Sequence, residues 1–276
     1  MKKFNIYAIT TVLIGMGLSS CQKKFDPSTY APQLSIAGYN SASQVAASNL
    51  VSYWAFNGGL TDSVNGGAGT ATGTGFAGGI KGQSLQGALN SYALTDPDSK
   101  VTGLTSFTLS EWVNTPPPST GIIGLFSLAN TKEFWGNIDV FVENGSTNTN
   151  GKLRIHVNPG SGDKTLAVDN IQNLFDRWVN ITISYDEATS NIILYVNGAK
   201  VSNSTTTLSG ALHFANPGKI VFGCVQFQTT PSQTSSTGKQ DWASYLTGTL
   251  DEVRIYNKAL TPEEIGALVK LEGRGK

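Results

Sequence analysis

The sequence predicts an all-β fold, a sandwich of two antiparallel sheets in one domain that ends in a short helix. Several short segments alternate apolar and polar residues, and the clearest places Val179, Ile181 and Ile183 on one face. Glycine accounts for 31 of the 276 residues and only 14% are charged, a composition typical of short strands joined by tight turns. Asn197-Gly198 is a strong signal for a two-residue hairpin turn.

The first 20 residues have the pattern of a secretory signal peptide. Lys2 and Lys3 precede an apolar stretch, residues 6–18, that is too short to predict a membrane span. The stretch ends in Leu18-Ser-Ser-Cys21, which resembles the lipobox of bacterial lipoproteins, where cleavage precedes the cysteine and the cysteine is lipidated. The resemblance implies a membrane anchor of palmitate-type chains on Cys21. The alternative is an ordinary signal peptide with a chance cysteine.

Residues 21–48 are expected to form a flexible tether, because they are polar, rich in Ser and Ala, and contain Pro27 and Pro32. The residues after Cys21 lack the acidic run that Bacteroidota lipoproteins carry when they are exported to the cell surface. We therefore expect an outer-membrane lipoprotein of the cell envelope, and its side, periplasmic or surface, stays open. The domain itself is expected over residues 49–272.

The domain opens with an apolar and aromatic strand at residues 50–56. A turn-rich loop follows, and it contains Asp62-Ser-Val-Asn65-Gly. Asx and Gly residues in such a loop supply turns and hydrogen bonds between side chains and backbone.

The most informative stretch is residues 248–265, GTLDEVRIYNKALTPEEI, which predicts a strand, a turn and the start of a helix. By simple alternation Asp251 shares a face with Val253 and Ile255, so its carboxylate points inward at the start of the strand. A buried carboxylate is costly unless a cation or backbone N–H groups pair with it. Residues 261–264 (TPEE) predict a capping box that opens a short terminal helix.

This closing stretch resembles the LamG-like, concanavalin A-like jelly rolls, the sandwich of laminin G domains, pentraxins and legume lectins. It matches the family pattern G-x-(I/L)-D-E-V-R-I-Y, then N-x-A-L-(S/T)-x-x-E-I, almost residue for residue. Residues 106–113 (SFTLSEWV) and the block at residues 174–201 match two further family segments. The resemblance implies a two-sheet jelly roll. It says less about activity, because this fold carries lectins, enzymes and inert modules.

The opening of the domain also resembles this family, whose first strand leads into a D-S-x-N-G loop. In many relatives that loop and the Asp of the closing strand bind one calcium ion, and the matching positions are Asp62, Asn65 and Asp251. Calcium takes several oxygen ligands, so the resemblance implies a structural calcium that joins the first strand to the last. The alternative is that Asp251 accepts hydrogen bonds from backbone N–H groups without a metal.

Glu111 stands where family members often have a small residue. Two interpretations are open, an exposed side chain near the rim of a sheet, which we favour, and a side chain that contacts a ligand.

Residues 137–143 (NIDVFVE) superficially resemble the E-I-D-x-x-E strand of concanavalin-like glucanases. Those retaining enzymes need two carboxyl groups about 5–5.5 Å apart. Here Asn137 occupies the nucleophile's position, and Asp139 and Glu143 are one residue too far apart. His156 lies on the polar face of its strand and is expected in solvent. We therefore predict that the protein is not an enzyme.

A long polar loop at residues 228–240 precedes the closing strand, and long loops on β-scaffolds commonly hold binding residues. Trp242 and Tyr245 follow it, and Trp135 lies in another loop. Sugar rings stack their C–H faces on aromatic side chains, so these three residues are the predicted binding platform. The alternative is that they cover the edge of the sandwich, since Trp is commonly largely buried.

These features predict a non-catalytic carbohydrate-binding or adhesion module anchored to the envelope, with a glycan or polysaccharide as its partner. The alternative is a structural or protein-interaction component of an envelope polysaccharide-uptake complex, and a glycoside hydrolase is less favoured. Lys+Arg and Asp+Glu both number 19, and no basic stripe predicts binding to nucleic acid.

Overall fold

The computed structural model describes residues 35–276, apart from the side chains of residues 202–207, and contains two eight-stranded sheets. The strands are β1 (Leu50–Trp54), β2 (Gly69–Thr72), β3 (Gly75–Gly78), β4 (Gln83–Gln86), β5 (Tyr92–Thr95), β6 (Phe107–Asn114), β7 (Ile122–Asn130), β8 (Ile138–Asn144), β9 (Gly151–Val157), β10 (Lys164–Ile171), β11 (Val179–Asp186), β12 (Asn191–Val196), β13 (Ala199–Thr207), β14 (Pro217–Phe222), β15 (Ala243–Ser244) and β16 (Thr249–Tyr256). The two α-helices of this region are α1 (Ser99–Thr102) and α2 (Pro262–Glu272).

The first sheet has the order β13-β12-β11-β6-β16-β4-β3, with β1 also paired to β16. The second sheet has the order β10-β9-β8-β7-β14-β5-β2, and the short β15 runs parallel to β7 beside it. Consecutive strands such as β4 and β5, or β13 and β14, lie in different sheets, so the chain crosses repeatedly between the two layers. This topology confirms the predicted all-β, two-sheet antiparallel jelly roll.

One hydrophobic core fills the space between the sheets. The first sheet contributes residues such as Leu109 and Ile181, and the second contributes Val140, Ile155 and Phe222. The alternation predicted for residues 179–183 is present as strand β11. Asn197 and Gly198, both with positive φ, form the predicted turn between β12 and β13.

The face assigned to Asp251 by simple alternation is wrong. Leu250 lies opposite Val113 on the core side, and Asp251 lies opposite Trp112, which puts its side chain on the outer side of the sheet. The pairing then shifts register, because Glu252 adopts a positive φ of 48° and forms a bulge. The bulge inverts the parity of the following residues, so Asp251 does not share the core face of the strand.

Glu111 is not exposed at a sheet rim, and the interpretation we favoured for it is wrong. It lies opposite Ile181 and between Leu109 and Val113 on the core face of β6, and it is completely buried. Neither carboxyl oxygen has a hydrogen-bond partner within the described residues. Burial raises the pKa of Glu111 to about 8, so the side chain is a neutral acid at neutral pH.

The terminal helix α2 begins as its sequence predicts and covers the outer side of the first sheet. The side chain of Thr261 accepts a hydrogen bond from the N–H of Glu264, and the Glu264 side chain accepts one from the N–H of Thr261. At the other end of the helix, Glu272 accepts hydrogen bonds from Trp112 on β6 and Arg254 on β16. These bonds tie the helix to the middle of the sheet.

Residues 35–276 form one compact unit. Residues 35–48, which the sequence assigns to the tether, belong to this unit: Ala42 is buried, and its N–H bonds to the carbonyl of Lys276. The predicted signal peptide and Cys21 lie outside the described residues. Within residues 35–276, no helix combines the length and the apolar character that crossing a membrane requires.

Candidate functional site

An aromatic cluster lies on the outer face of the second sheet, the face turned away from the core. We call it the aromatic corner, and its members are Phe134, Trp135, Phe141, Phe227 and Trp242. They come from the β7–β8 loop, from β8, from a turn after β14 and from the end of the long loop. The corner contains two of the three aromatic residues predicted to form a platform.

Trp135 forms the floor of the corner. Its indole is nearly parallel to the rings of Phe141 (centroids 5.2 Å apart, 14°) and His156 (4.2 Å, 22°). Those two rings are only 5.5 Å from each other, whereas rings on opposite faces of an indole would be at least about 7 Å apart. Both therefore lie under the same face of Trp135. The opposite face points away from the sheet, and Trp135 is partly exposed.

Trp242 forms the wall of the corner. Its ring lies 6.2 Å from that of Trp135 at an angle of 60°, and 43% of the residue is exposed. Phe227 packs edge-on against it and Phe134 lies roughly parallel to it. The planes of floor and wall meet at 60°, and both tryptophans keep part of their surface exposed to solvent.

His156 lies beneath the floor, and its predicted solvent environment is wrong. Trp135 covers the ring, and the residue is 7% exposed. Its Nδ1 is 2.6 Å from a carboxylate oxygen of Asp163, which is partly exposed, and 3.3 Å from the hydroxyl of Thr165. These contacts fix the orientation of the imidazole on which the indole rests.

Asp139 lies opposite His156 on the same outer face and is completely buried. It accepts hydrogen bonds from the Ser127 hydroxyl and from the N–H of Gly136, at 2.5 Å for the latter. Burial raises the pKa of Asp139 to about 6, although both hydrogen bonds oppose the shift. The carboxyl thus anchors the loop that holds Trp135 and does not reach solvent.

Tyr245, the third predicted platform residue, lies in a different cluster. It is buried with Tyr92, Val221 and Cys224, and its hydroxyl donates a 2.7 Å hydrogen bond to the carbonyl of Gln228. Its ring packs within this buried cluster at the base of the long loop.

The phenylalanines of the corner, together with His156, were missed by sequence reasoning. Phe134 precedes Trp135 directly and Phe227 stands at the start of the long loop, so a search for further aromatic residues in the loops around each Trp would have found both. No such signal marks His156, because its burial comes from a loop that folds over its strand.

Asp62 and Asn65, two of the predicted calcium ligands, are in contact. One carboxylate oxygen of Asp62 accepts hydrogen bonds from the N–H groups of Tyr53 (3.0 Å) and Val64 (2.8 Å), and the other accepts one from the Asn65 amide (2.7 Å). The Asn65 side-chain oxygen accepts a bond from Gly67. Asp62 thereby joins the loop to β1.

Asp251, the third predicted ligand, binds a different loop. Its Oδ2 accepts hydrogen bonds from the N–H groups of Ile80 (2.9 Å) and Lys81 (3.2 Å), and its Oδ1 accepts one from Glu252 (2.8 Å). Burial raises the pKa of Asp251 to about 7, and the backbone bonds partly offset this. The backbone capping considered above is therefore present. Within residues 35–276, no group of three or more acidic, His or Cys side chains forms a metal cluster. Calcium binding at Asp62, Asn65 and Asp251 stays a prediction.

A family model described as the concanavalin A-like lectin/glucanases superfamily matches residues 86–266, which is more than half of the chain. The chain belongs to this superfamily. No curated protein sequence matches it significantly.

Solved structures with the concanavalin A-like fold resemble this chain at low identity. Domain 4 of AbnA, a GH43 extracellular arabinanase from Geobacillus stearothermophilus solved with arabinotriose, is 20% identical with a TM-score of 0.52, over 80% of this chain and 98% of that one. Botulinum neurotoxin type C, which depends on two ganglioside molecules to enter cells, is 12% identical (TM-score 0.59, 84% and 53% coverage). The binding domain of botulinum neurotoxin DC, solved with rat synaptotagmin II, is 11% identical (0.58, 83% and 52%). This chain spans about half the length of the toxin chains, and these likenesses show the fold.

The segment of this concanavalin A-like domain that resembles a glucanase strand carries two carboxyl groups, and Asp139, one of them, is completely buried. Asp139 and Glu143 lie on the same face of β8, and their Cα atoms are four residues or about 13 Å apart along the strand. Glu143 is also engaged by the guanidinium of Arg154 at 3.2 Å.

Proposed function

We propose that the aromatic corner binds carbohydrate and that the protein is a non-catalytic glycan-binding module. The observation that supports this most directly is the outward face of Trp135 beside the exposed wall of Trp242. A pyranose or furanose ring can lie on the floor with its C–H face on the indole and touch the wall with its edge. Aromatic side chains offer such contacts with little loss of conformational freedom.

Hydrogen-bonding groups lie around this apolar surface. Asp163 is partly exposed beside His156, and Lys132, Glu133 and Asp241 are exposed within two residues of Phe134 or Trp242 in sequence. Sugar hydroxyls need such partners, because an apolar platform alone does not fix the orientation of a ring.

Two of the similar structures support a glycan over other ligands. One was solved with arabinotriose, and the other belongs to a toxin that depends on gangliosides. The toxin domain solved with synaptotagmin II supports the second candidate, a protein partner, in the same way. We favour the glycan because the corner places two partly exposed indole rings side by side, and sugar rings stack on such surfaces.

The absence of catalysis is part of this proposal. The complete burial of Asp139 and the ion pair between Glu143 and Arg154 support it. Incubation of residues 22–276 with β-glucans and arabinans, followed by a reducing-sugar assay, is expected to give no product. Activity lost in Asp139→Ala or Glu143→Ala would overturn this part.

The glycan proposal is tested by binding of residues 22–276 to a broad oligosaccharide array and by calorimetry with arabinotriose and a ganglioside pentasaccharide. Trp242→Ala is expected to weaken binding at least about tenfold, in the range seen for aromatic hot spots. Phe76→Ala is the matched control, since Phe76 is 40% exposed on a strand of the other sheet. Equal losses in both variants, or no ligand on the array, would refute the proposal.

We further propose that the module is anchored to the outer membrane through Cys21. The lipobox-like sequence supports this. Cells fed a clickable palmitate analogue are expected to label the full-length chain and to leave the Cys21→Ser variant unlabelled. Labelling of both would point to another acceptor, and labelling of neither to an ordinary secreted protein.

A further inference from the structure

Two glutamines, Gln226 and Gln228, are completely or almost completely buried beneath the aromatic corner. Glutamine is usually exposed, and a buried carboxamide is costly unless its donors and acceptor are paired. We infer that these two residues are the positioning residues of the corner, Gln226 for the floor and Gln228 for the wall. This inference deepens the proposed function and rests on it for its consequences in binding.

Gln226 holds the loop that carries Trp135. Its Nε2 donates to the carbonyls of Glu133 (2.8 Å) and Phe134 (2.9 Å), and its Oε1 accepts from the N–H of Asn130 (2.7 Å). One side chain therefore fixes the backbone where the loop leaves β7 and again directly before Trp135. Both amide hydrogens and the amide oxygen are used, so the carboxamide fits only one loop conformation.

Gln228 holds the end of the long loop in the same way. Its Nε2 donates to the carbonyls of Ala243 (2.6 Å) and Gln240 (3.2 Å), and its Oε1 accepts from the N–H of Gln240 (2.7 Å). These three bonds lie on either side of Trp242 in sequence. The long loop thus starts and ends on one side chain, and its closure sets the position of the wall.

A third side chain joins the two loops directly. The hydroxyl of Thr234 donates to the carbonyl of Glu133 at 2.7 Å and accepts from the N–H of Ser236. Because Gln226 bonds to the same carbonyl, the floor loop and the wall loop share one anchoring point. Floor and wall are therefore fixed relative to each other before a ligand arrives, which removes an ordering cost from binding.

The experiment compares Gln226→Met and Gln228→Met with Gln86→Met. Methionine keeps the length of the side chain and removes every hydrogen bond. Gln86 is the matched control, since its Nε2 donates to the carbonyls of Gly87, Thr247 and Gly248 and it lies on β4 of the other sheet. Thr234→Val is the milder second variant if a Gln variant does not fold.

The first readout needs no ligand. The chain has five tryptophans, so the indole N–H signals in a ¹⁵N spectrum can be assigned with single Trp→Phe variants. We expect the signal of Trp135 to shift or broaden in Gln226→Met, that of Trp242 in Gln228→Met, and both to stay in place in Gln86→Met. In Thr234→Val we expect a smaller change at Trp135. Unchanged indole signals in both corner variants, or equal changes in the Gln86 control, would overturn the inference.

The second readout is affinity for the best array ligand. Gln226→Met and Gln228→Met are each expected to bind about tenfold more weakly than the wild type, while Gln86→Met binds like the wild type although it is also destabilised. If the wild type binds no glycan, the proposed function fails, and the indole signals still decide whether the glutamines position the corner. Wild-type affinity in both corner variants would overturn their role in binding.

Discussion

Arg254 on the last strand donates a 2.6 Å hydrogen bond from Nε to the carboxylate of Glu272 on the terminal helix, where the two side chains are 2% and 0% exposed. The same guanidinium donates to Glu252 at 2.7 Å and lies 3.7 Å from the ring centroid of Tyr53 on the first strand. Tyr53 in turn donates to Glu252. A single buried cation therefore connects both ends of the domain.

Replacing this cation is expected to be severely destabilising. Arg254→Met leaves the carboxylates of Glu252 and Glu272 buried without a counter-charge, and breaking a buried ion pair from one side costs about 3–5 kcal/mol. Urea unfolding followed by circular dichroism measures the cost. Arg274→Met, an exposed arginine just after the helix, is the control and is expected to change little. A loss at Arg254 no larger than that of the control would contradict this account.

Calcium is expected to raise the thermal midpoint of residues 22–276, because an ion bound only to the folded chain stabilises it by mass action. Scans in calcium and in chelator measure the rise, and Asp251→Asn is expected to abolish it. In the same variant, one side-chain oxygen that can accept hydrogen bonds from backbone N–H groups is replaced by an NH2 group. The free energy of unfolding should therefore fall by about 1–3 kcal/mol even in chelator. Asp241→Asn, at an exposed aspartate, controls for the loss of charge. Identical wild-type scans in calcium and chelator would leave Asp251 with backbone capping alone.

The buried acid Glu111 is expected to make stability fall as the pH rises. Its pKa is about 8 in the folded protein and near the ordinary value of 4.5 when unfolded. Between these values the folded chain holds one proton more, so the free energy of unfolding decreases with pH by on the order of 1 kcal/mol per unit. This contribution is complete below about pH 4.5 and is lost as the pH passes about 8.

Urea unfolding of wild type and Glu111→Gln from about pH 5 to about pH 8 tests this sign. Glutamine cannot titrate, so the difference between the two proteins is expected to shift in favour of the variant as the pH rises. The comparison isolates Glu111 from Asp139 and Asp251, whose raised pKa values act in the same direction. Parallel curves would show that Glu111 does not gain a proton on folding.

The two tryptophans of the corner are expected to differ in their effect on stability. Trp135 stacks on two rings and is partly buried, so Trp135→Ala should cost about 1–3 kcal/mol, somewhat less than a core Trp. Trp242→Ala should stay within about 1 kcal/mol, as is usual for exposed residues. Chemical unfolding of both variants gives the comparison. If Trp242→Ala lowered the free energy of unfolding as much as Trp135→Ala, Trp242 would serve to pack the sandwich. That result would favour the alternative in which these aromatic residues cover the edge of the sandwich.

The sheet architecture was predictable because it depends on alternation and turn chemistry that are local in sequence. The capping box at Thr261 and the hairpin turn at Asn197-Gly198 are examples, and both are present. The face of Asp251 was not predictable, because a bulge at Glu252 inverts the alternation. Nothing in the composition of that strand predicts a non-glycine residue with positive φ.

The candidate site was predictable only in its most conspicuous members. Trp135 and Trp242 were predicted because they lie in or directly after loops, where binding residues commonly occur, and because sugar rings stack on aromatic side chains. Tyr245 was grouped with them by sequence proximity, although its side chain turns into a separate buried cluster. In the sequence, Gln226 and Gln228 look like ordinary polar residues of a loop. Their role could not be predicted, because it depends on which backbone groups a distant loop brings to them.

Strand β16, the last of the chain, lies in the interior of the first sheet with β6 on one side and β1 and β4 on the other. Strand β1 therefore pairs with a strand that lies about two hundred residues later in the sequence. During synthesis the earlier strands are present without the one that joins them, so this sheet closes only after Thr249–Tyr256 has been made. Such long-range closure slows folding. In a chain that stops before residue 249, the strands β13-β12-β11-β6 are not connected to β4-β3, β1 has no partner strand, and the edges stay open.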